Sequence, residues 1–138
     1  MQRLECIKLI KCLIKNRFNI SLETNGSISI KDLPEKMMIS LDIKCPSSGM
    51  TKNMCYNNLD LIKQKDQVKF VIANLKDYIF AKNIIKKYAL EDKTNVIFQP
   101  VYRTKFTQKL VNIILQNKLK VRFLLQLHKI IWGDKRGV

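Results

Sequence analysis

Short runs rich in β-branched and aromatic residues alternate with helix-period segments along the whole chain, and that rhythm limits the folds open to it. Asn19-Ile20-Ser21-Leu22-Glu23-Thr24 alternates as a short strand does, and Asn25-Gly26 stops it. Met37 to Ile43 is mostly apolar on both faces, which suits a buried parallel strand. Val68 to Ala73 and Asn95 to Phe98 read as a third and fourth strand, the latter closed by Gln99-Pro100, and Val121 to Leu125 as a fifth. Between them lie amphipathic stretches. Leu4, Ile7, Ile10 and Ile14 recur at helical steps among Arg3, Lys8, Lys11 and Lys15. A short helix is expected over 59–65. A longer one is expected over 75–90, burying Tyr78, Ala81, Ile85 and Tyr88. Phe106, Leu110, Ile113 and Ile114 define another, while 46–58 reads as a long loop and 126–138 as an irregular tail. Strands and helices recurring at roughly 25–30 residues are the signature of β-α units on a parallel sheet.

The chain has 138 residues, 46% apolar and 27% charged, with 4 Gly and 3 Pro. It can bury a core, and it is neither disordered nor fibrous. The length suits one domain or part of one. A net charge of +15 excludes an acidic, ion-buffering protein and keeps polyanions among candidate partners. The lysines are spread over every helix, so a solvated basic surface competes with a nucleic-acid surface as their explanation. No apolar run approaches the ~18 residues needed to cross a bilayer. The first residues lack the apolar core of a secretory signal. Four cysteines, at positions 6, 12, 45 and 55, contain no C-x-x-C pair. A reducing, cytoplasmic protein is the expectation.

Polar residues with chemical potential fall just after the expected strands: Glu23-Thr24-Asn25, Asp42 and Lys44, Asn74, Gln99, then Gln126 and His128. In α/β barrels and open sheets, ligands bind at that edge, where successive loops converge. Glu23 could accept two parallel N–H bonds from an amidine-like edge such as that of guanine or pterin, or be a cap or surface carboxylate. His128, the single histidine, is open between a structural residue and a ligand or base. Pro46-Ser47-Ser48-Gly49 could cradle an anion or be a plain turn. Trp132 could be a lid or an anchor. Cys6 and Cys12 are expected to pack in the core beneath the first helix.

Taken in order, certain segments look like one known family. They are Ser21-Leu22-Glu23-Thr24-Asn25-Gly26-Ser27, 39–50 (ISLDIKCPSSGM), Phe98-Gln99-Pro100-Val101 and 126–138 (QLHKIIWGDKRGV). The series resembles the C-terminal part of the 7-carboxy-7-deazaguanine synthases, radical S-adenosylmethionine enzymes that make the precursor of the deazaguanine bases of tRNA. The resemblance covers essentially the whole chain, and the last thirteen residues are its most specific stretch. It implies an α/β fold, the C-terminal portion of a partial, hybrid TIM-type barrel over residues 1–138. It implies ring contraction of 6-carboxy-5,6,7,8-tetrahydropterin to 7-carboxy-7-deazaguanine with loss of ammonia.

By the same resemblance, Asp42-Ile43-Lys44 corresponds to a stretch lining the S-adenosylmethionine site, where many members have Ser-Pro-Lys. Gln99-Pro100-Val101-Tyr102 corresponds to a second such stretch. Glu23, Gln126, His128 and Val138 fall to the pterin substrate. The family's 4Fe–4S cluster is held by three closely spaced cysteines, followed by a Gly-Gly-Glu-Pro turn, and neither pattern occurs in this sequence. The resemblance therefore implies a truncated product, one part of a split gene or a late start codon. The Mg2+ contact would also lie in the missing part, so no metal ligand is assigned here. A homodimer and an electron donor such as flavodoxin or ferredoxin are implied for the complete enzyme, with no membrane partner and no direct nucleic-acid binding. A non-catalytic basic module that keeps the fold and binds RNA or protein is the competing expectation. A small free-standing α/β enzyme would lack a plausible catalytic pair, with a lone His and no recognisable nucleophile elbow.

Overall fold

The computed structural model describes residues 2–135 and 137, with side chains described from Glu5 onward. Helix α1 (Gln2–Lys15) leads into strand β1 (Ser21–Thr24), and β2 (Met38–Ile43) follows across an irregular connection. Two 3-10 turns, a single helical turn α2 (Asn58–Leu61) and strand β3 (Gln67–Ile72) come next. Then run α3 (Leu75–Tyr88), α4 (Leu90–Lys93), β4 (Asn95–Pro100), α5 (Thr107–Gln116), β5 (Arg122–Phe123) and α6 (Leu127–Trp132). All neighbouring strands pair in parallel, in the order β1-β2-β3-β4-β5. This is the expected α/β architecture. A sheet whose spatial order follows chain order has no switch point and winds as a barrel does, so an opened barrel segment is consistent with it.

Parallel register fixes which side chains share a face. Ile43, Phe70, Phe98 and Phe123 form one cross-strand row, and Leu41, Val68 and Val96 another on the same side. The helices cover this side. Phe70 and Phe98 are fully buried and meet edge to face at 6.0 Å, and Tyr78 of α3 meets Phe98 likewise at 6.2 Å. Ala81 and Ile85 of α3, Leu110 and Ile114 of α5, and Ile10 of α1 complete the core. The opposite face carries Glu23, Ser40, Gln67 and Asn95 in one row and Asp42, Lys69, Ile97 and Arg122 in the next. β2 is the buried parallel strand expected, with Ser40 and Asp42 on its polar side.

Three buried polar side chains pin the connections. Asp66 accepts the N–H groups of Ile39 and Lys63, both at 2.9 Å, and Lys65 Nζ at 3.2 Å. Asn58 accepts the Ile30 N–H at 3.0 Å and donates to the carbonyls of Gly26 and Ile28. Asp77 holds the opposite edge of the sheet. Each satisfies backbone groups that a loop would otherwise bury unpaired. Gly26 has φ +68°, and a Cβ there would come within 2.7 Å of Leu41 Cδ1, so glycine is required where β1 turns.

Several boundaries differ from the sequence expectation. The helix expected over 59–65 is one turn, because Asp66 draws residues 63–66 into a tight turn, with the Asp66 N–H also donating to Lys63 O at 2.9 Å. The long helix ends at Tyr88, where Ala89 takes φ +50°, and restarts as α4. Tyr88 is half-buried. Gln99 and Pro100 belong to β4. Val101 N–H donates toward β3, to Ile72 O at 3.0 Å, so Pro100 lacks its N–H on the β5 side, where pairing ends at Phe98. The fifth strand is two residues long, and the tail expected to be irregular contains α6. Cys6 and Cys12 are exposed, because α1 turns Ile10 and Ile14 inward and the cysteines outward.

Candidate functional site

A cleft of about 560 Å³ opens where the C-terminal ends of β2, β3 and β4 meet the start of α6. Asp42, Ile43 and Lys44 line it from β2, Gln99 and Val101 from β4, and Gln126 and His128 from the α6 entry. Seven residues singled out in the sequence therefore come together in one cleft, from segments up to 86 positions apart (128 − 42). Pro100 does not line it, because its side chain shares the apolar face with Ile72. Tyr102 also stays outside, with its N–H donating to Gln126 Oε1 at 3.0 Å, so its backbone holds Gln126 in place. Val138 lies outside the described residues.

The charges in the cleft are ordered. Lys44 Nζ donates to Asp42 Oδ2 at 2.7 Å, while Asp42 Oδ1 is buried without a partner. An orphaned carboxylate oxygen in a cleft is an acceptor waiting for a ligand's N–H or hydroxyl. Cys45, on the floor, has its thiol pushed up to about 12, first by burial and then by Asp77 and Asp42. It is neutral and inert at ordinary pH, unlike a cluster-ligating thiolate.

Asp77 organises the rim. Its carboxylate accepts the N–H groups of Ser47 and Ala73, both at 2.9 Å, tying the turn after β2 to the end of β3. Asn74 caps α3 by accepting the Asp77 N–H at 3.2 Å, and donates through Nδ2 to Ser47 Oγ at 2.8 Å. The Pro46–Gly49 segment is a turn and not an anion cradle. Its amides are already committed, Ser47 to Asp77, Ser48 to Cys45 O and Gly49 to Pro46 O.

Glu23 stands one step away. It lines a smaller recess of about 150 Å³ with Thr24, Asn25, Ser40, Asp42 and Lys69, and the last two also line the main cleft. Glu23 is exposed at the mouth of this recess, so it is a free carboxylate and not a helix cap. Trp132 is 49% exposed on α6, which fits neither a buried anchor nor a closed lid.

The sequence reading missed Lys69, Asp77 and Cys45. Lys69 carried a signal, a charge interrupting an apolar strand. So did Asn74-x-x-Asp77, the spacing of a helix-capping pair. Nothing in the sequence pointed to Cys45, whose role is set by burial.

The cleft lies at the strand ends of an open parallel α/β sheet, the edge at which α/β proteins of the barrel type bind small molecules. No family profile matches the chain. Among curated proteins it is 32% identical to a 7-carboxy-7-deazaguanine synthase of Koribacter versatilis, across all of this chain and 67% of that protein. It is 37% identical to one of Methanospirillum hungatei over 95% of this chain and 54% of that one. It is 34% identical to one of Clostridium acetobutylicum over 96% and 62% respectively. The chain belongs to the 7-carboxy-7-deazaguanine synthase family. It spans between about half and two thirds of the length of these relatives. No described helix is long and apolar enough to cross a membrane.

Proposed function

We propose that the chain supplies the substrate- and cofactor-lining part of a cytoplasmic 7-carboxy-7-deazaguanine synthase, contracting 6-carboxy-5,6,7,8-tetrahydropterin to 7-carboxy-7-deazaguanine with loss of ammonia. The observation that carries this reading is the convergence of Asp42, Lys44, Gln99, Gln126 and His128 on one strand-end cleft, with Glu23 in the adjoining recess. S-adenosylmethionine, cleaved reductively at a 4Fe–4S cluster, supplies the hydrogen-abstracting power of such enzymes. The cleft fits the S-adenosylmethionine part of that pair. It is large enough for a nucleoside, and the orphaned Asp42 Oδ1 can accept from a ribose hydroxyl or an amino group.

The described residues do not fit the cluster. Cys6 and Cys12 are exposed on α1, Cys45 is buried and protonated, and no three His, Cys, Asp or Glu side chains converge among the described residues. The cluster, the Mg2+ contact and the docking of an electron donor such as flavodoxin or ferredoxin are therefore assigned to a cluster-binding part equivalent to the portion of the relatives that this chain does not span. A homodimer is the proposed state of the complete enzyme.

This chain's own side chains bind and orient. Glu23 accepts from the 2-amino and ring N–H groups of the pterin, Gln126 and His128 border it on the α6 side, and strand-end packing excludes water from the reacting atoms. The test is reconstitution with the cluster-binding part of a relative, in cis or in trans, at matched iron content. Glu23→Gln then lowers catalytic efficiency by roughly thirty- to a thousandfold, because an amide sets a donor against a donor. Efficiencies within a factor of two of the parent would remove Glu23 from the substrate site.

A further inference from the structure

The recess beside Glu23 contains a cation that the site as described leaves without a task. Lys69 lies in the middle of β3, on the polar face, in register with Asp42. Together with Asp42 it borders both the recess and the main cleft. Asp42 is already engaged through Oδ2 with Lys44 at 2.7 Å. Lys69 has no hydrogen bond or ion pair with any described residue. A half-buried lysine without a partner favours a ligand that brings an acceptor to it.

Register sets the reach. Glu23 is beside Ser40, Ser40 is beside Gln67, and Lys69 follows Gln67 by two residues on the same face. The two α-carbons are thus separated by two strand spacings across the sheet and one side-chain repeat along it, roughly 12 Å from standard sheet dimensions. A glutamate arm from one side and a longer lysine arm from the other leave room for the edge of one fused ring. The recess volume of about 150 Å³ is of the same scale.

We infer that Lys69 is the specificity residue that reads the 4-oxo group of a 2-amino-4-oxopteridine, an assignment that rests on the reading of Glu23 above. A pterin presents the order donor, donor, acceptor along its pyrimidine edge. Glu23 is acceptor-only and takes the two donors. Lys69 is donor-only and takes the oxygen. A ring with an amino group in place of the oxygen puts a donor against the ammonium, so the pair selects oxo over amino rings.

The experiment titrates the 138-residue chain and its variants, by intrinsic ligand fluorescence, with pterin, 2,4-diaminopteridine and 6-carboxypterin. The parent should prefer pterin to the diamino ring by about tenfold or more, the scale of a charge-assisted hydrogen bond. Lys69→Met should narrow that preference severalfold, leaving the share that Glu23 sets at ring N3, which bears a hydrogen in pterin and none in the diamino ring, and Lys69→Arg should retain most of it. A Lys69→Met chain that binds pterin with the parent's affinity and selectivity overturns the assignment. So does a penalty confined to 6-carboxypterin, which would place Lys69 on a carboxylate. Failure of the Glu23 reading looks different: Glu23→Gln would then bind pterin as the parent does, whatever Lys69→Met shows. A parent chain that binds none of the three overturns both.

Discussion

Along β3 the side chains of Val68, Phe70 and Ile72 are fully buried, while Gln67, Lys69 and Val71 on the other side are half-exposed. The same division runs across the sheet. One face ends in aromatic and aliphatic rows closed by helices, and the other in rows of glutamate, serine, glutamine, aspartate and lysine. The strands are shared, so backbone pairing alone cannot distinguish the two faces. Stability resides where helices cover the sheet, and the proposed recognition where they do not. The polar face keeps its charges half-solvated and only partly paired, which leaves acceptors and donors for a ligand.

The contrast is broken most severely from the apolar side. Phe98→Ala removes the ring that Phe70 and Tyr78 both meet edge to face. With the site fully buried, the loss should be about 3–5 kcal/mol, read as a fall in the urea midpoint at unchanged slope. A loss below about 1 kcal/mol would mean that the aromatic rows are not the keystone of the covered face.

The apolar rows were legible in the sequence because parallel strands buried by helices advertise themselves through Val, Ile and Phe. The strand ends were legible for a related reason, since polar residues just beyond such runs have few places to go. The pins were not. Asp66, Asn58 and Asp77 each act on backbone some 27 to 32 residues away, and only the fold discloses those partners. The α6 turn was hidden by its brevity, six residues with no side-chain cap and a glycine at its end. Cys6 and Cys12 were misjudged because a helix phase, not residue type, decides which way a thiol points.

Asp77 joins the two regimes, since it is fully buried yet builds the rim of the cleft. Asp77→Ala should cost about 2 kcal/mol, less than two buried orphans would, because Ser47 is exposed and can recover water. The rim should loosen with it. Hydrogen exchange at Ser47 and Ala73 should rise locally more than the global unfolding rate does, and uniform acceleration would show Asp77 to be merely one more core contact.

Cys45 sharpens the comparison through pH. Its folded-state thiol is raised to about 12 from an ordinary 9.0, by burial first and by the Asp77 and Asp42 carboxylates second. A raised acid contributes its full stability below pH 9, and that contribution is lost progressively between pH 9 and about 12. One pH unit above the unfolded value the loss should be roughly 1 kcal/mol. Cys45→Ala should flatten this part of the urea-midpoint profile. At pH 8 an alkylating reagent should label Cys6 and Cys12 readily and Cys45 only in denaturant, as peptide mass mapping would record.

The smallest expected effect lies at Glu23, on the uncovered face. Its side chain is exposed, accepts no described hydrogen bond and belongs to a four-residue edge strand. Removing its charge while keeping its shape should therefore leave folding almost untouched, within about 0.5 kcal/mol in urea melts of parent and Glu23→Gln. The prediction has force because the same substitution is expected to cripple a reconstituted enzyme. A residue that held the edge together would lower stability and turnover in step. A ligand reader would lower turnover alone. If Glu23→Gln costs more than about 1 kcal/mol of stability, the carboxylate serves the edge strand, and the division of labour between the two faces does not extend to β1.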